Sequence, residues 1–214
     1  MHDTDVAPPR RANDDRGRKP IRGRSGIGTA AALLLWPDDP PGTREIARRC
    51  GLSPSSVSEA LRSLRGASLV RSDNRPLIPE AFWALADVWN PPSLALARAP
   101  DVDGLVVGGT VAALAWGAPL VVTADYPPDY YTREDVDLRA LRYEYGAPAE
   151  ADTRACTVTV APTQLLLSEY VERPGAAHPL VHPLFAALDL ARDKARGVEA
   201  LEVWSPPPPY KRLW

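Results

Sequence analysis

One short stretch, residues 50–64 with the sequence CGLSPSSVSEALRSL, constrains the fold of this chain more than any other feature. Ser53 followed by Pro54 is a strong helix start, because serine caps the first turn and proline already has the backbone angle of the first helical position. Gly51 suits the left-handed residue that ends a preceding helix. The apolar residues that follow have the spacing of one helix face: Val57, Leu61 and Leu64. The stretch therefore predicts two short helices that are joined by a tight turn and packed on a core.

The polar side of the second helix is unusual for a helix surface. Its first turn carries small hydroxyl residues instead of the long side chains that favour exposed helix positions. If the aliphatic residues face inward, the following residues face solvent: Ser55, Ser56, Ser58, Glu59 and Arg62. In a helix-turn-helix unit, the exposed start of the second helix enters the major groove of DNA, and small hydroxyls there permit a close approach. We therefore predict a DNA-recognition helix that is capped by Ser53.

Elements on both sides are predicted to complete the DNA-binding unit. A short helix over residues 43–50 is expected to be capped by Thr43, and Thr43 and Arg44 are expected to meet phosphates at its start. After the recognition helix, short strands at residues 69–70 and 77–78 enclose a Ser-Asp-Asn turn, which predicts a hairpin, or wing. The complete set of expected DNA contacts is Thr43, Arg44, Ser53, Ser55, Ser56, Ser58, Arg62, Arg65, Arg71, Asn74 and Arg75.

The distribution of charge supports a nucleic-acid partner for the first part of the chain. The net charge of the whole chain is −2. Residues 1–24 hold seven basic and four acidic residues, and residues 44–75 hold seven and three, whereas residues 81–214 hold eleven and seventeen. Because phosphates attract clustered cations, DNA contact is expected in the amino-terminal part. Residues 1–24 are polar without apolar periodicity and are predicted to form a disordered basic arm.

Residues 42–70 resemble the winged helix-turn-helix of small bacterial regulators. The residues that fit the shared pattern are Glu45, Ile46, Ala47, Gly51, Leu52, Ser53, Ser55, Val57, Ser58, Leu61, Leu64, Leu69 and Val70. The resemblance implies a winged helix-turn-helix domain at residues 25–90 that binds double-stranded DNA and regulates transcription. Such regulators commonly form homodimers, although no heptad repeat marks a dimer helix here. Some winged domains bind protein instead, so a protein-binding role stays open.

The carboxy-terminal part, residues 100–214, is predicted to be a mixed α+β domain that recognises a partner or a signal. Strands are expected at residues 120–122 and 156–160, one helix is expected to be capped by Thr110, and another is expected to start at Pro183. The predicted fold class is therefore α+β, with an amino-terminal winged helix-turn-helix followed by a mixed α/β carboxy-terminal domain.

Two stretches of this part resemble the AbiEi-like family, whose antitoxin and sensor domains follow a winged helix in the same order. The resemblance is carried by residues 108–113, GGTVAA, and by residues 182–201, HPLFAALDLARDKARGVEAL. It implies a transcriptional regulator that represses its own operon, with a type IV antitoxin role left open. A toxin protein is accordingly left open as the partner of the carboxy-terminal domain, and a small-molecule ligand is the other partner considered.

The alternative is an enzyme, a nucleotidyltransferase-like domain fused to a winged helix. Gly108 and Gly109 have the form of a triphosphate-binding turn, and Asp135 and Asp137 have the spacing of two strand carboxylates that share Mg²⁺. A tight strand-to-helix turn and a solvated helix start explain the same residues, and we favour that interpretation. No catalytic residue, cofactor or metal ligand is therefore assigned, and the protein is expected not to be an enzyme.

Several other residues receive structural roles. His178 and His182 are expected to be loop residues, because neighbouring prolines prevent a shared helix face for a metal ion. A helix surface with ion pairs is predicted for Asp189, Asp193, Lys194, Arg196 and Glu199. The tyrosines of the proline-rich loop are expected to pack on the domain surface, with a small-molecule pocket as the alternative: Tyr126, Tyr130 and Tyr131.

Cysteine content and hydropathy indicate the cellular compartment of the protein. Cys50 and Cys156 are the two cysteines, too few for a disulfide framework or a zinc site. No apolar run reaches the roughly 18 residues of a membrane span, and the polar amino terminus lacks the apolar core of a secretory signal. We therefore expect a cytoplasmic protein without a membrane partner.

Overall fold

The computed structural model describes residues 19–123 and 125–214. Most of the predicted basic arm, residues 1–24, therefore lies outside the described residues. At the end of that segment, helix α1 spans Gly23–Leu35, so the first helix begins inside the predicted arm.

The amino-terminal part is helical, and the carboxy-terminal part combines short helices with a sheet. After α1, the amino-terminal helices are α2 (Thr43–Cys50), α3 (Pro54–Gly66) and α4 (Glu80–Ala86). The carboxy-terminal elements follow in the order β1 (Ser93–Leu96), β2 (Val106–Gly108), α5 (Gly109–Ala115), β3 (Asp129–Thr132), α6 (Leu138–Tyr145), β4 (Cys156–Val160), α7 (Gln164–Ser168), α8 (Pro183–Leu190) and α9 (Arg196–Val203).

Helices α2 and α3 form the predicted helix-turn-helix. Gly51 ends α2 in the left-handed region with a φ of 64°, as its place before the turn predicts. The Ser53 hydroxyl accepts a hydrogen bond from the Ser56 N–H at 3.2 Å, and Pro54 is the first residue of α3. The residues at the predicted inward positions are buried: Val57, Leu61 and Leu64. The turn and the packing of α3 are therefore confirmed.

Two predicted helix caps are wrong, and glycine explains both. Gly42 occupies the cap position of α2, so Thr43 is the first helical residue and its side chain caps nothing. Gly108 occupies the cap position of α5, and Thr110 lies inside that helix. Glycine is accepted at helix caps nearly as well as threonine, so each helix begins before its hydroxyl residue.

The predicted wing forms a smaller hairpin than the sequence indicates. Its two sides meet in one antiparallel bridge between Val70 and Pro76, and not in two-residue strands at residues 69–70 and 77–78. Below the bridge, the Leu77 N–H donates to the Leu69 carbonyl at 2.8 Å. The tip is closed by the Arg71 N–H, which donates to the Arg75 carbonyl at 2.9 Å.

The four strands of the carboxy-terminal part form one mixed sheet in the order β1-β4-β3-β2. β3 and β4 are parallel, and the other two pairs are antiparallel. Asp129, at the start of β3, lies opposite Gly108 on one side and Thr157 on the other. The strand predicted at residues 156–160 is confirmed as β4. The strand predicted at residues 120–122 is wrong, because that segment is irregular and pairs with no described strand.

One hydrophobic cluster runs through both parts of the chain. The Trp89 ring, just after α4, stacks on Phe185 of α8 with 5.8 Å between ring centroids. Trp214 packs against Phe82 of α4 and against Trp204, at centroid distances of 5.6 and 5.0 Å. These contacts hold the helix-turn-helix on the sheet-containing part through a shared core.

The architecture confirms the predicted fold class: an amino-terminal helix-turn-helix is followed by helices and a mixed sheet, α+β overall. The proposed limits of two domains, 25–90 and 100–214, stay a prediction. Within the described residues, no helix is both long and apolar enough to span a bilayer.

Candidate functional site

The outward face of α3 is open to solvent. Ser55, Ser58, Arg62 and Arg65 are exposed, and Ser56 is partly buried. The helix start and its polar side therefore remain accessible, although the helix is packed on a core that both parts of the chain share. This is the geometry that a helix needs to enter a DNA groove.

The hydroxyls at the start of α3 form a small hydrogen-bonded cluster. The Ser53 Oγ lies 2.9 Å from the Ser55 Oγ and 2.8 Å from the Ser56 Oγ. The Ser58 hydroxyl donates its proton to the Pro54 carbonyl at 2.9 Å, and the lone pairs of its oxygen remain available as hydrogen-bond acceptors. The cluster therefore links Ser53, Ser55 and Ser56 at the tip of α3.

The expected cations lie on α2, on α3 and on the wing. Arg44, Arg62 and Arg71 take part in none of the ion pairs found across residues 19–123 and 125–214. Arg75 lies 3.7 Å from Asp73 in an exposed pair, which has little energetic weight. All these guanidinium groups are free to meet an anionic partner.

Arg65 and Asn74 have a structural contact that the sequence did not reveal. The Arg65 guanidinium donates to the Asn74 Oδ1 at 2.5 Å, which links the end of α3 to the wing. Asn74 has a φ of 70°, a left-handed conformation that asparagine tolerates in turns. Whether these two residues also contact DNA stays a prediction.

Two other arginines of the helix-turn-helix already form ion pairs within the protein. Hydrogen bonds from Arg48 and Arg49 lower the pKa of Glu45 to about 2. The Arg49 guanidinium also lies 3.2 Å from Glu169 and 4.3 Å from the centre of the Trp36 ring. A simple count of basic residues in this segment therefore overstates the positive charge that is available to DNA.

The carboxy-terminal part contains a cavity of about 790 Å³. We call it the carboxylate cavity, because Asp129 and Asp189 line it. Its other walls come from the end of α4, the Gly-Gly turn before α5, strands β3 and β4, and the segment after α8. Tyr126 and Tyr131 line it too, whereas Tyr130 packs edge-on against His178 at 5.1 Å.

Asp189 is the centre of a hydrogen-bond network in this cavity. Its carboxylate accepts hydrogen bonds from the Trp89 Nε1 at 3.0 Å, the Gly109 N–H at 2.8 Å and the Tyr131 hydroxyl at 2.5 Å. Burial raises the pKa of Asp189, and the three donors oppose that rise. The predicted ion-paired surface role of Asp189 is therefore wrong: the side chain points inward and joins four elements.

The rest of that predicted ionic surface is sparse. Lys194 lies 3.9 Å from Asp87, a residue near the end of α4, and no ion pair joins the predicted partners within the described part of the chain. Sequence reasoning took Trp89 for a core or interface residue and placed neither Asp129 nor Trp89 at a site. No local motif marks them, because they meet only when β3 and α4 pack on α8.

The carboxylates considered for an enzyme lie elsewhere. Asp137 caps α6 and accepts from the Arg139 N–H at 2.8 Å, and exposed Asp135 lies 3.3 Å from Arg133. Neither lines the cavity at the Gly-Gly turn. Across the described residues, no group of three or more His, Cys, Asp or Glu side chains is arranged to hold a metal ion.

His182 has a role that its sequence context did not predict. It caps α8, and its Nδ1 accepts the Leu184 N–H at 3.1 Å. Burial lowers the pKa of His182 to about 4, so the ring is neutral at pH 7 and keeps the acceptor that the cap requires.

The exposed α3, its capped start and the wing define the class of the amino-terminal part, a winged helix-turn-helix. Residues 34–74 match the IclR helix-turn-helix domain family, a segment that contains α2, α3 and the tip of the wing. The match supports a DNA-binding transcriptional regulator. Comparison with curated proteins and with solved structures gives no match.

Proposed function

We propose that this protein is a sequence-specific transcriptional regulator that binds double-stranded DNA and represses its own operon. The observation that carries the proposal is the exposed face of α3, where small hydroxyls at the helix start and Arg62 further along face solvent within the IclR-type match. We place the protein in the cytoplasm, where its DNA is.

In this proposal, α3 lies in the major groove with its first turn toward the bases. Ser55 and Ser58 approach closely because their side chains are small, and Arg62, one to two turns further on, reaches a base edge. Thr43 and Arg44 at the start of α2 contact phosphates. Arg71 and Arg75 extend from the wing to the adjacent DNA backbone or minor groove.

The carboxy-terminal part is proposed to receive the signal. The resemblance to the AbiEi-like family favours a toxin protein as its partner, with a small molecule as the other candidate. Because winged-helix regulators commonly dimerise, a homodimer is the proposed form that binds an operator. An antitoxin role is a further step of this proposal. A nucleotidyltransferase gene directly downstream would support that step.

Selection of genomic fragments by the purified protein tests the central proposal. We expect enrichment of one short sequence, with the promoter of its own gene among the bound fragments. If no sequence is enriched at about 100 mM salt or below, the proposal fails and a protein-binding role of the winged domain is favoured.

A paired substitution tests the assigned face. Arg62→Ala is expected to weaken binding of the selected fragment about tenfold and to relax its sequence preference, because one base contact is worth roughly 1–3 kcal/mol. Arg139→Ala removes another exposed arginine, from α6, and is the control. Equal affinity of both variants for DNA in gel shifts would show that α3 does not face the duplex.

A further inference from the structure

We propose that the carboxylate cavity binds a small polyhydroxylated anion, a sugar phosphate or a sugar acid, with its hydroxyls on the sheet and its anionic group at Arg192 and Arg196. The inference names the chemical class of the small-molecule candidate, and the role of that molecule as a signal rests on the proposed function. The binding site itself rests on the geometry of the cavity.

The walls of the cavity suit a polar ligand. Its volume of about 790 Å³ lies within the range of roughly 300–1,000 Å³ that is typical of ligand pockets. Most of its lining residues are polar or charged. Trp89 and Tyr131 also line it, but they are only 1% and 2% exposed and offer almost no aromatic surface. An apolar ligand would leave the polar wall groups without hydrogen-bond partners, which costs free energy.

One wall of the cavity is a face of the sheet that carries hydroxyl groups. On β4, Thr159 lies opposite Ser93 of β1 and opposite Tyr131 of β3. Two residues earlier, Thr157 lies opposite Asp129. Residues that are directly opposite, or two apart on one strand, share a face, and all five line the cavity. Each hydroxyl can donate and accept a hydrogen bond, and the hydroxyls of a polyol offer the same two functions in return.

The alternation of β4 separates this polar face from the core. Cys156 and Val158 point to the opposite face, where they are buried in a separate hydrophobic cluster with Leu96 and Leu141. Thr157, on the same central strand, is partly exposed on the cavity side. The hydroxyl-bearing face of the sheet is therefore accessible to a ligand.

The segment after α8 places positive charge at the mouth of the same cavity. Arg192, Lys194 and Arg196 line it and are exposed. In the described part of the chain, neither arginine forms an ion pair, and Lys194 lies 3.9 Å from Asp87 in an exposed pair of little energetic weight. Guanidinium groups bind phosphate and carboxylate oxygens through charge-assisted hydrogen bonds. The anionic group of the ligand is therefore expected at this mouth.

The carboxylates of the cavity are compatible with such a ligand. Asp189 is held by three protein donors, and Asp193 accepts the Ala195 N–H at 3.1 Å. Asp129 lies at the inner end beside the Gly-Gly turn, where its oxygens can accept hydrogen bonds from ligand hydroxyls. Burial raises the pKa of Asp129, and the positive charge of Arg192 partly opposes that rise. The two groups are therefore near enough for one small molecule to reach both.

Isothermal titration calorimetry with matched ligands tests both halves of the site. The anionic polyols are glucose 6-phosphate, ribose 5-phosphate and gluconate. Glucose, ribose and sorbitol keep the hydroxyls without the charge, whereas inorganic phosphate and hexanoate keep the charge without the hydroxyls. We expect at least one anionic polyol to bind about tenfold more tightly than its neutral partner and its hydroxyl-free partner, as charge-assisted hydrogen bonds allow. The phosphate and carboxylate ligands distinguish the two sources of the anionic group.

Two variants assign the halves to residues. The double variant Arg192→Gln with Arg196→Gln should reduce the preference for the anionic over the neutral polyol to below about twofold, because the charged contacts are lost. Arg139→Gln, an exposed arginine of α6 outside the cavity, should retain the preference. Thr157→Val should weaken binding of the anionic polyol about fivefold, since one hydrogen bond from the sheet is lost.

The inference fails if no anionic polyol binds, if either set of partners binds equally well, or if the folded double variant keeps the preference. The comparison of ligands on the unmodified chain decides the matter even if the variants do not fold. These titrations contain no DNA, so their failure would leave the proposed regulator intact. Failure of the selection of genomic fragments would in turn leave the ligand site intact.

Discussion

The exposed face of α3 and the carboxylate cavity place their polar groups in opposite environments. On α3, hydroxyls and arginines point into water and bond mainly to residues within a few positions in the chain. In the cavity, Asp189 bonds to residues that are 58 to 100 positions away. The polar face of α3 is organised within one helix, whereas the hydrogen bonds of the cavity form only when distant elements of the chain pack together.

Because of this difference, substitutions in the two regions should affect different properties, either DNA binding or the stability of the fold. A polar side chain in water costs little to replace, because solvent takes its place. A polar side chain that satisfies buried donors leaves them unpaired when it is removed. Substitutions on α3 should therefore change DNA affinity with little effect on folding, and substitutions in the cavity should change folding first.

The largest effect is expected for Asp189→Ala. The change leaves the Trp89 Nε1, the Gly109 N–H and the Tyr131 hydroxyl without their acceptor. We expect the free energy of unfolding in urea to fall by about 3 kcal/mol. Asp103→Ala, in an exposed loop, should stay within about 0.5 kcal/mol of the parent. A loss below about 1 kcal/mol for Asp189→Ala would remove the contrast between the two regions.

The next effect is a dependence of stability on pH. The neutral His182 ring caps α8, and burial lowers its pKa to about 4 from an ordinary value of 6.5. Between these values the unfolded chain binds more protons, so the stability is complete above pH 6.5 and decreases as the pH falls. We expect a loss of about 2 kcal/mol between pH 7 and pH 5 in urea unfolding.

His182→Asn is the matched variant for this prediction. Asparagine keeps a cap acceptor and does not titrate. The unfolding free energy of the variant should change less between pH 7 and pH 5 than that of the parent. Parallel curves for the two chains would show that His182 is not the source of the pH dependence.

Ser53→Ala should affect both stability and DNA binding, because Ser53 caps α3 and also organises its tip. We expect a stability loss of about 1 kcal/mol, the usual value of a helix cap. Ser53→Asp should restore stability, since aspartate also caps, but it should still weaken DNA binding because its charge repels phosphate. Recovery of both properties by aspartate would place the tip of α3 away from the duplex.

The smallest effect is expected for Arg75→Ala on the wing. Loss of one phosphate contact should weaken binding to different DNA sequences by a similar factor and reduce the salt dependence of log K by about 1. Stability should not change, because the Arg75 side chain is exposed. Fluorescence anisotropy at several salt concentrations measures the slope, with Arg139→Ala as the control. A slope equal to that of the parent would exclude a phosphate contact by Arg75.

The helix-turn-helix was predictable because its signals are adjacent in the chain. Gly51, Ser53 and Pro54 specify the turn through backbone angles and one cap, and these preferences act within a few residues. The wing was predictable as a hairpin, but its strands were predicted too long, because one bridge forms instead of two-residue strands. The caps at Thr43 and Thr110 were missed because a neighbouring glycine served equally well.

The sequence by itself determined the α+β class, the turn between α2 and α3, and the outward position of Ser55, Ser58 and Arg62. Periodicity and capping are enough for these features, because each depends on neighbours in the chain. Only the tertiary structure decided that Asp189 points inward and that Asp129 faces a cavity. Their environment is set by residues from several distant elements, so no short motif can encode it and packing alone brings those groups together.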